Sequence, residues 1–361
     1  MYMTEESKIS SGQFFSTLLL SRLLSLLTYT PLTRKGINTS DYLVFGAVGV
    51  AIILISAIPL FLLYKDNQNK CVIDLAHDVS PVFSKILSVL YALLFAFYGF
   101  STLERLDLFA GTVIFPETDT TFFAILAVIV TCYAAYLGLE AVGRAGTISL
   151  AIFCLSFVFI FATMADKINL NNFSPVAYSG YSEIFLKGLG IATRTVELAV
   201  MAVFYPRVSG NKKKGFFIWL ISFAVILELI FFFLMGGLSE FAFTRLFPVQ
   251  EIAVLSQFSV FERLDVILTG VWILSAFIKI SFLLYLQTEI LKRAFSVSKK
   301  NYFLWFSGFL LITAHLLASK KAVNFLFTIN IAVRFFLYAA FILVIPVTVL
   351  ILKKIKERKT K

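Results

Sequence analysis

Charge is what this chain has least of. Asp, Glu, Lys and Arg make up 15% of its 361 residues, against 59% that are hydrophobic. A soluble domain of ordinary composition holds about 25% charged and about 45–50% apolar residues. No soluble fold of this size has interior enough to hide such an excess, and the same figures exclude disorder and collagen. Cysteine is scarce too. Cys71, Cys132 and Cys154 show no CxxC spacing and read as small buried hydrophobes, not as a disulfide scaffold. Two histidines cannot complete a metal cluster with them; His77 reads as a solvated loop residue and His315 as a hydrogen-bonded packing residue. No HExxH, GxSxG or acyltransferase His–Asp arrangement occurs, so no enzyme and no cofactor is expected. Alternating apolar–polar decamers are missing, which argues against an outer-membrane barrel. A folded basic module is missing as well, so the net charge of +11 points to a membrane surface and not to nucleic acid.

What is present is long apolar runs, with 41 phenylalanines among them. A helix needs about 20 mostly apolar residues to cross the hydrocarbon. Ten windows qualify: about 10–31, 42–64, 83–103, 121–138, 146–164, 184–206, 215–238, 264–287, 302–318 and 327–352. Arg22 interrupts the first, which is read as a span and not as a cleaved signal peptide. The reading is one polytopic all-α membrane domain over 1–361, with halves of about 10–164 and 184–352 and a basic tail at 353–361. With both termini cytoplasmic, inside segments hold nineteen Lys and Arg and outside segments eight, the expected bias. The polar stretches 164–183 and 239–263 then fall outside, the second with a short apolar run expected to form a re-entrant or interfacial helix over the extracellular mouth.

Two features suggest internal symmetry. Arg22 precedes Pro31 by nine residues and Glu197 precedes Pro206 by nine, an offset of 175 between halves. "ERLD" occurs at 104–107 and at 262–265, with an offset of 158, so the two pairs share no gapless register.

Ionisable groups at bilayer depth cost about 2.5–3.5 kcal/mol each on insertion scales, and survive facing the bundle interior or water. Here they are Arg22, Arg194, Glu197, Glu228, Lys279 and Arg334. Four are basic and two acidic, which suits an anionic group arriving from outside; deprotonation of Lys279 would equally restore balance. Arg194 and Glu197 stand three apart, on one helix face, and read either as an internal ion pair or as part of a permeation route. Ser21, Ser25 and Thr28 around Arg22 suit close helix packing or a broken helix. Asp265, Thr269, Trp272, Ser275 and Lys279 fall on one face of span 8, either as an interhelical seam or as the lining of a vestibule.

The runs "KISSGQFFSTLLLSRLLSLLTYTP", "VELAVMAVFYPRV" followed by "KKK", and "FERLDVILTGVWILSAFIKISFLLY" resemble the spore germination permeases. These are the B-type subunits of nutrient germinant receptors in endospore-forming bacteria, within the amino acid–polyamine–organocation superfamily. The resemblance implies ten helices in a five-plus-five inverted-repeat transporter fold, with helices 1 and 6 discontinuous. It further implies a pocket for a small nutrient, usually an amino acid, between helices 1, 3, 6, 8 and 10. Carried onto this chain, that pocket holds Ser21, Arg22, Ser25, Thr193, Arg194 and Glu197. Tyr98, Glu228, Trp272, Ser275, Lys279 and Arg334 stand along the pathway or at coupling positions. Implied partners are a membrane A-type subunit and a lipoprotein C-type subunit in the spore inner membrane, or the cell membrane. Amino acid permeases of the superfamily usually carry glycine in the helix-1 break, whereas here no glycine lies between Gly12 and Pro31. Either Arg22 replaces bare amides as the carboxylate's partner, or the substrate is not an amino acid. A nutrient sensor acting with partners and a proton-coupled permease working by alternating access both fit this reading.

Overall fold

The computed structural model describes residues 8–28, 39–65, 67, 69–256, 265–297, 302–318 and 331–359. They are nearly all helical. In chain order the helices are α1 (Ser11–Leu27), α2 (Tyr42–Ser56), α3 (Ile58–Lys65), α4 (Val72–Val79), α5 (Pro81–Phe109), α6 (Thr121–Leu137), α7 (Leu139–Met164) and α8 (Tyr181–Ala192). Then come α9 (Glu197–Phe204), α10 (Lys212–Phe233), α11 (Pro248–Leu255), α12 (Asp265–Phe295), α13 (Tyr302–Leu317), α14 (Ile331–Tyr338) and α15 (Ile345–Lys359). A parallel pair of two-residue strands joins β1 (Ile9–Ser10) to β2 (Val208–Ser209).

Six helical stretches are long and apolar enough to cross a bilayer: Tyr42–Lys65, Pro81–Ile114, Leu139–Lys167, Lys212–Thr244, Asp265–Phe295 and Ala332–Arg358. The bent pair α8 and α9 makes a seventh if counted as one span. The chain is an integral membrane protein. α6 and α13 are shorter apolar helices, and α1 has 17 residues. Each of the ten expected windows therefore overlaps helix among the described residues.

Local chemistry sets the ends. The Ser10 hydroxyl accepts from the Gln13 N–H while the Gln13 side chain accepts from the Ser10 N–H, a capping box that starts α1. Gly138, at φ +99°, turns the chain from α6 into α7, a conformation that L side chains rarely adopt. α12 packs most extensively on α5, and also on α6, α7 and α1. One end of the bundle is pinned by side chains that link distant segments. Arg207 pairs with Glu289 at 2.9 Å, Arg293 pairs with Asp74, and the Tyr64 hydroxyl donates to the Ala202 carbonyl.

α2 and α8 approach backbone to backbone. A Cβ on Gly49 would stand 3.1 Å from the Gly188 carbonyl, and one on Gly188 would stand 3.1 Å from the Gly49 nitrogen. Gly188→Val should therefore force the helices apart at about 1–3 kcal/mol, the usual overpacking cost. Its melting temperature in detergent is expected to fall, whereas Gly99→Ala, whose new Cβ meets nothing within 4 Å, should melt at or above the parent. Equal melting of the two variants would contradict the close approach.

Three expectations need correction: the break in helix 1, the burial of Cys154 and the loop setting of His77. Helix 1 is not broken within its described length: α1 runs uninterrupted through Arg22 to Leu27. With neither glycine nor proline between Gly12 and Pro31, every backbone N–H along it can make its helical bond; Pro31 itself lies outside the described residues. Cys154 is exposed on α7 and not buried. Cys71, by contrast, is fully buried as expected, although it sits in a polar segment. Its N–H donates to Asp74 at 3.0 Å and its sulfur accepts from Arg293 at 3.3 Å, and burial pushes its thiol up from the ordinary value. His77 is exposed but belongs to helix α4, not to a loop.

The stretch 164–183 forms two 3₁₀ turns held to the end of α10, where the Asn172 amide donates to the carbonyls of Met235 and Gly236. Within 239–263 lies α11, whose Gln250 amide reaches the Thr269 hydroxyl at 3.1 Å. Glu262 and Arg263 of the second "ERLD" lie outside the described residues.

Candidate functional site

The break between α8 and α9 organises the interior. No proline or glycine occupies Thr193–Val196. In a continuous helix the Ile191 carbonyl would accept from Thr195; instead it accepts from Arg22 Nη2 at 2.7 Å and, at 3.4 Å, from the Arg194 N–H, and Thr195 N–H turns to Ala192. A side chain inserted into the hydrogen-bond ladder is a sufficient cause for a kink, and the two helices meet at 45°. Arg22 is fully buried, with its guanidinium 4.6 Å from the centre of the Phe223 ring. A cation at the C-terminal end of α8 and an acid, Glu197, opening α9 both oppose the helix dipoles favourably.

Glu197 is wholly buried, and its Oε1 accepts from the Ser21 hydroxyl at 2.9 Å. The Lys279 ammonium lies 3.9 Å from the same oxygen. Lys279 also donates to the Ser21 carbonyl at 3.0 Å and to the Ser25 hydroxyl at 3.2 Å. Three helices far apart in sequence thus share one buried charge pair. Among the described residues no donor reaches Glu197 Oε2.

Beside this pair lies a cavity of about 70 Å³, measured to the centres of water-sized spheres. Since about 10–15 Å³ on that measure admits one water, the space holds several. α1 and its C-cap contribute Ser25 and Thr28, α5 contributes Tyr98, Ser101, Thr102 and Arg105, and the break contributes Thr193 and Arg194. Lys279 of α12 and Arg334 of α14 complete its polar lining. These elements fall in the first, third, sixth, eighth and tenth of the windows expected from the sequence. Four cations line the space, and no carboxylate does so among the described residues. A second pocket of about 210 Å³ lies between α4, α5 and the end of α12, but the buried Asp74 and the half-buried Arg293 on its wall neutralise each other. The smaller cavity is therefore the better ligand candidate.

Of the residues singled out from the sequence, Ser25, Thr193, Arg194, Tyr98, Lys279 and Arg334 line this cavity. Ser21 and Glu197 stand behind Lys279. Arg22 does not line it; its Nη2 is engaged by the helix end. Trp272 stacks on Phe109 with ring centres 4.0 Å apart, and Ser275 turns back on the Val271 carbonyl. Glu228 of α10 packs against Gly46 of α2 and is absent from the lining. The polar face of α12 does point inward, as a packing seam above Lys279. His315 pairs with Glu104 at 2.8 Å, joining α13 to α5.

The missed lining residue of greatest consequence is Arg105, whose Nη1 contacts the Thr28 hydroxyl at 3.3 Å. Tyr98, Ser101, Thr102 and Arg105 follow steps of three, one and three, a polar stripe along one helix face. That spacing was available in the sequence.

Comparison with known proteins agrees with this architecture. A family model described as "Spore germination protein" matches residues 8–326. The chain is also similar to a Bacillus subtilis (strain 168) protein titled "Putative spore germination protein YfkT". The two are 24% identical over 244 residues, 66% of this chain and 67% of that one.

Proposed function

Because the chain belongs to the spore germination protein family, we propose that it is the membrane-embedded, nutrient-sensing subunit of a germinant receptor. In this reading it crosses the membrane ten times, in two inverted halves with both termini cytoplasmic, within the spore inner membrane or the cell membrane. It catalyses no reaction. It binds a small carboxylate nutrient, an amino acid in the first instance, and biases an A-type membrane subunit and a C-type lipoprotein.

The observation that supports this is the cavity at the broken segment, where a buried Glu197–Lys279 pair backs a lining of cations. Preformed concave sites with a few convergent polar groups are the usual form of a small-molecule site. A ligand that seats between α1 and the α8–α9 break would bear on Ser21, through which both halves of the chain share Glu197.

Glu197→Gln tests the reading, since it keeps an acceptor for Ser21 but removes the charge. At parental membrane abundance, the nutrient concentration for half-maximal germination should rise at least about tenfold, roughly 1.4 kcal/mol of lost coupling. An unchanged response would remove Glu197 from the site.

A second reading, proton-coupled transport by alternating access, draws on the same pair: Lys279 holds an exchangeable proton 3.9 Å from a carboxylate. Accumulation of a labelled amino acid by the purified protein alone in liposomes, driven by a pH gradient, would select it over the sensor.

A further inference from the structure

The second cavity, of about 210 Å³, sits at the membrane boundary. α5 opens on it at Pro81, and Pro81–Ile114 is one of the crossing stretches. This is the end of the bundle read as cytoplasmic. Of the polar groups on the wall, Asp74 and Arg293 satisfy each other. The Ser84 hydroxyl donates to the Ile73 carbonyl at 3.0 Å and the Ser88 hydroxyl to the Ser84 carbonyl at 2.8 Å, which leaves both oxygens as acceptors only. Lys85 and His77 are different. Both are exposed, they come from separate helices, and neither has a hydrogen-bond or ion-pair partner among the described residues. The wall therefore keeps one uncompensated ammonium, and beside it an imidazole that has an N–H to donate in either tautomer.

Lys85 also heads an apolar stripe. Val82, Ile86, Val89 and Leu93 follow steps of four, three and four on one face of α5, and all four are exposed. Lys85 stands three residues after Val82 and four before Val89, so it shares that face. On a crossing helix such a face suits acyl chains. A lysine there could simply snorkel to water, but snorkelling needs neither a cavity nor an imidazole brought in from α4. Basic pockets between crossing helices on the cytoplasmic side are a recognised form of anionic head-group site. A zwitterionic head group fits less well, because its cation finds no spare anion nearby. Asp74 is held by Arg293, and Asp78, next to His77, is held by Lys70 at 2.6 Å.

We propose that this second cavity seats the head group of an anionic phospholipid, its phosphodiester held by Lys85 and His77 and its acyl chains lying along the Val82–Leu93 face of α5. The site is separate from the cavity at the α8–α9 break, so neither assignment depends on the other.

The test uses the full chain in detergent micelles, with bound lipid counted by native mass spectrometry. The probes are dioleoyl phosphatidylglycerol, dioleoyl phosphatidylcholine with the same chains, and glycerophosphoglycerol, the anionic head group without chains. Phosphatidylglycerol is expected to bind about fivefold tighter than phosphatidylcholine, the effect of one basic residue beside an anionic lipid. The bare head group should bind at least about tenfold more weakly than the lipid, because it buries no hydrocarbon. Lys85→Gln should remove the fivefold preference and leave phosphatidylcholine unchanged, and His77→Gln should act in the same direction. Lys213→Gln, which alters an exposed cation in the first turn of α10, controls for diffuse surface charge and should change neither. If Lys85→Gln does not accumulate, His77→Gln and the ranking of the two lipids decide. Equal binding of the two lipids, or equal losses from Lys85→Gln and Lys213→Gln, would overturn the site. A bare head group binding as tightly as the lipid would make the pocket a site for soluble phosphodiesters and overturn the lipid. Absence of bound phosphatidylglycerol would overturn the proposal outright and leave the α5 face to a partner helix.

Discussion

Replacing Arg22 with methionine is expected to lower the melting temperature of the detergent-solubilised protein by about 10 °C. Arg22 is 1% exposed and its charge-assisted bond to the Ile191 carbonyl is 2.7 Å long. Such a bond contributes about 1.5–3 kcal/mol net, and its loss leaves the Ile191 carbonyl with only the long bond from the Arg194 N–H, at 3.4 Å. The Phe223 contact adds about 2 kcal/mol when desolvated. Together these come to about 4 kcal/mol, and about 2–4 °C accompanies each kcal/mol in larger domains. Methionine replaces the packing volume but donates nothing. Arg22→Lys keeps the charge and loses the fork, so its melting temperature should fall between parent and Arg22→Met. The readout that separates positioning from bulk stability is the break itself. A cysteine pair placed across the α8–α9 bend should show a changed spin-label distance in Arg22→Met and a nearly parental one in Arg22→Lys. An unshifted melting curve with an unshifted distance would show that Arg22 does not hold the break.

That role was not legible in the sequence, and the reason is physical. Hydropathy reports how far a segment can sit from water, so all ten windows overlap helix among the described residues. It does not report which carbonyl a buried cation will meet 169 residues away. Breaks are usually sought at glycine or proline, yet the α8–α9 break has neither, being set by a side chain from another helix. Arg105 was hidden for a different reason. The hydrophobic window of its span closes at about residue 103, which assigns Arg105 to an outside loop. α5 continues to Phe109, because the inward face of its last turns is paid for by cavity and partner helix and need not be apolar. Lys279 was legible, since the polar steps of span 8 lead to it. Its partners Ser21 and Glu197 could be named as candidates but could not be joined.

The joining can itself be measured. Glu197→Ala should destabilise the protein by about 3–5 kcal/mol, the range for removing one member of a buried charge pair. Among the described residues the Lys279 ammonium would then keep only the Ser21 carbonyl and the Ser25 hydroxyl, without an anion within reach. Lys279→Met leaves Glu197 buried with Ser21 as its hydrogen-bond donor and should cost a comparable amount. The double variant removes both charges at once, so it should be more stable than the sum of the single losses requires, by about 1–3 kcal/mol of coupling. Melting of the four proteins in one detergent gives that coupling directly. If the losses simply add, the 3.9 Å approach carries no energy and the two groups are separate ions that happen to be neighbours. Ligand response separates stability from sensing, because the double variant, although partly restored in melting, lacks the charge pair behind the cavity. It is expected to stay unresponsive to nutrient at any concentration that triggers the parent. A double variant that regained both stability and response would make the pair structural cement, and the sensing chemistry would then reside in the arginines alone.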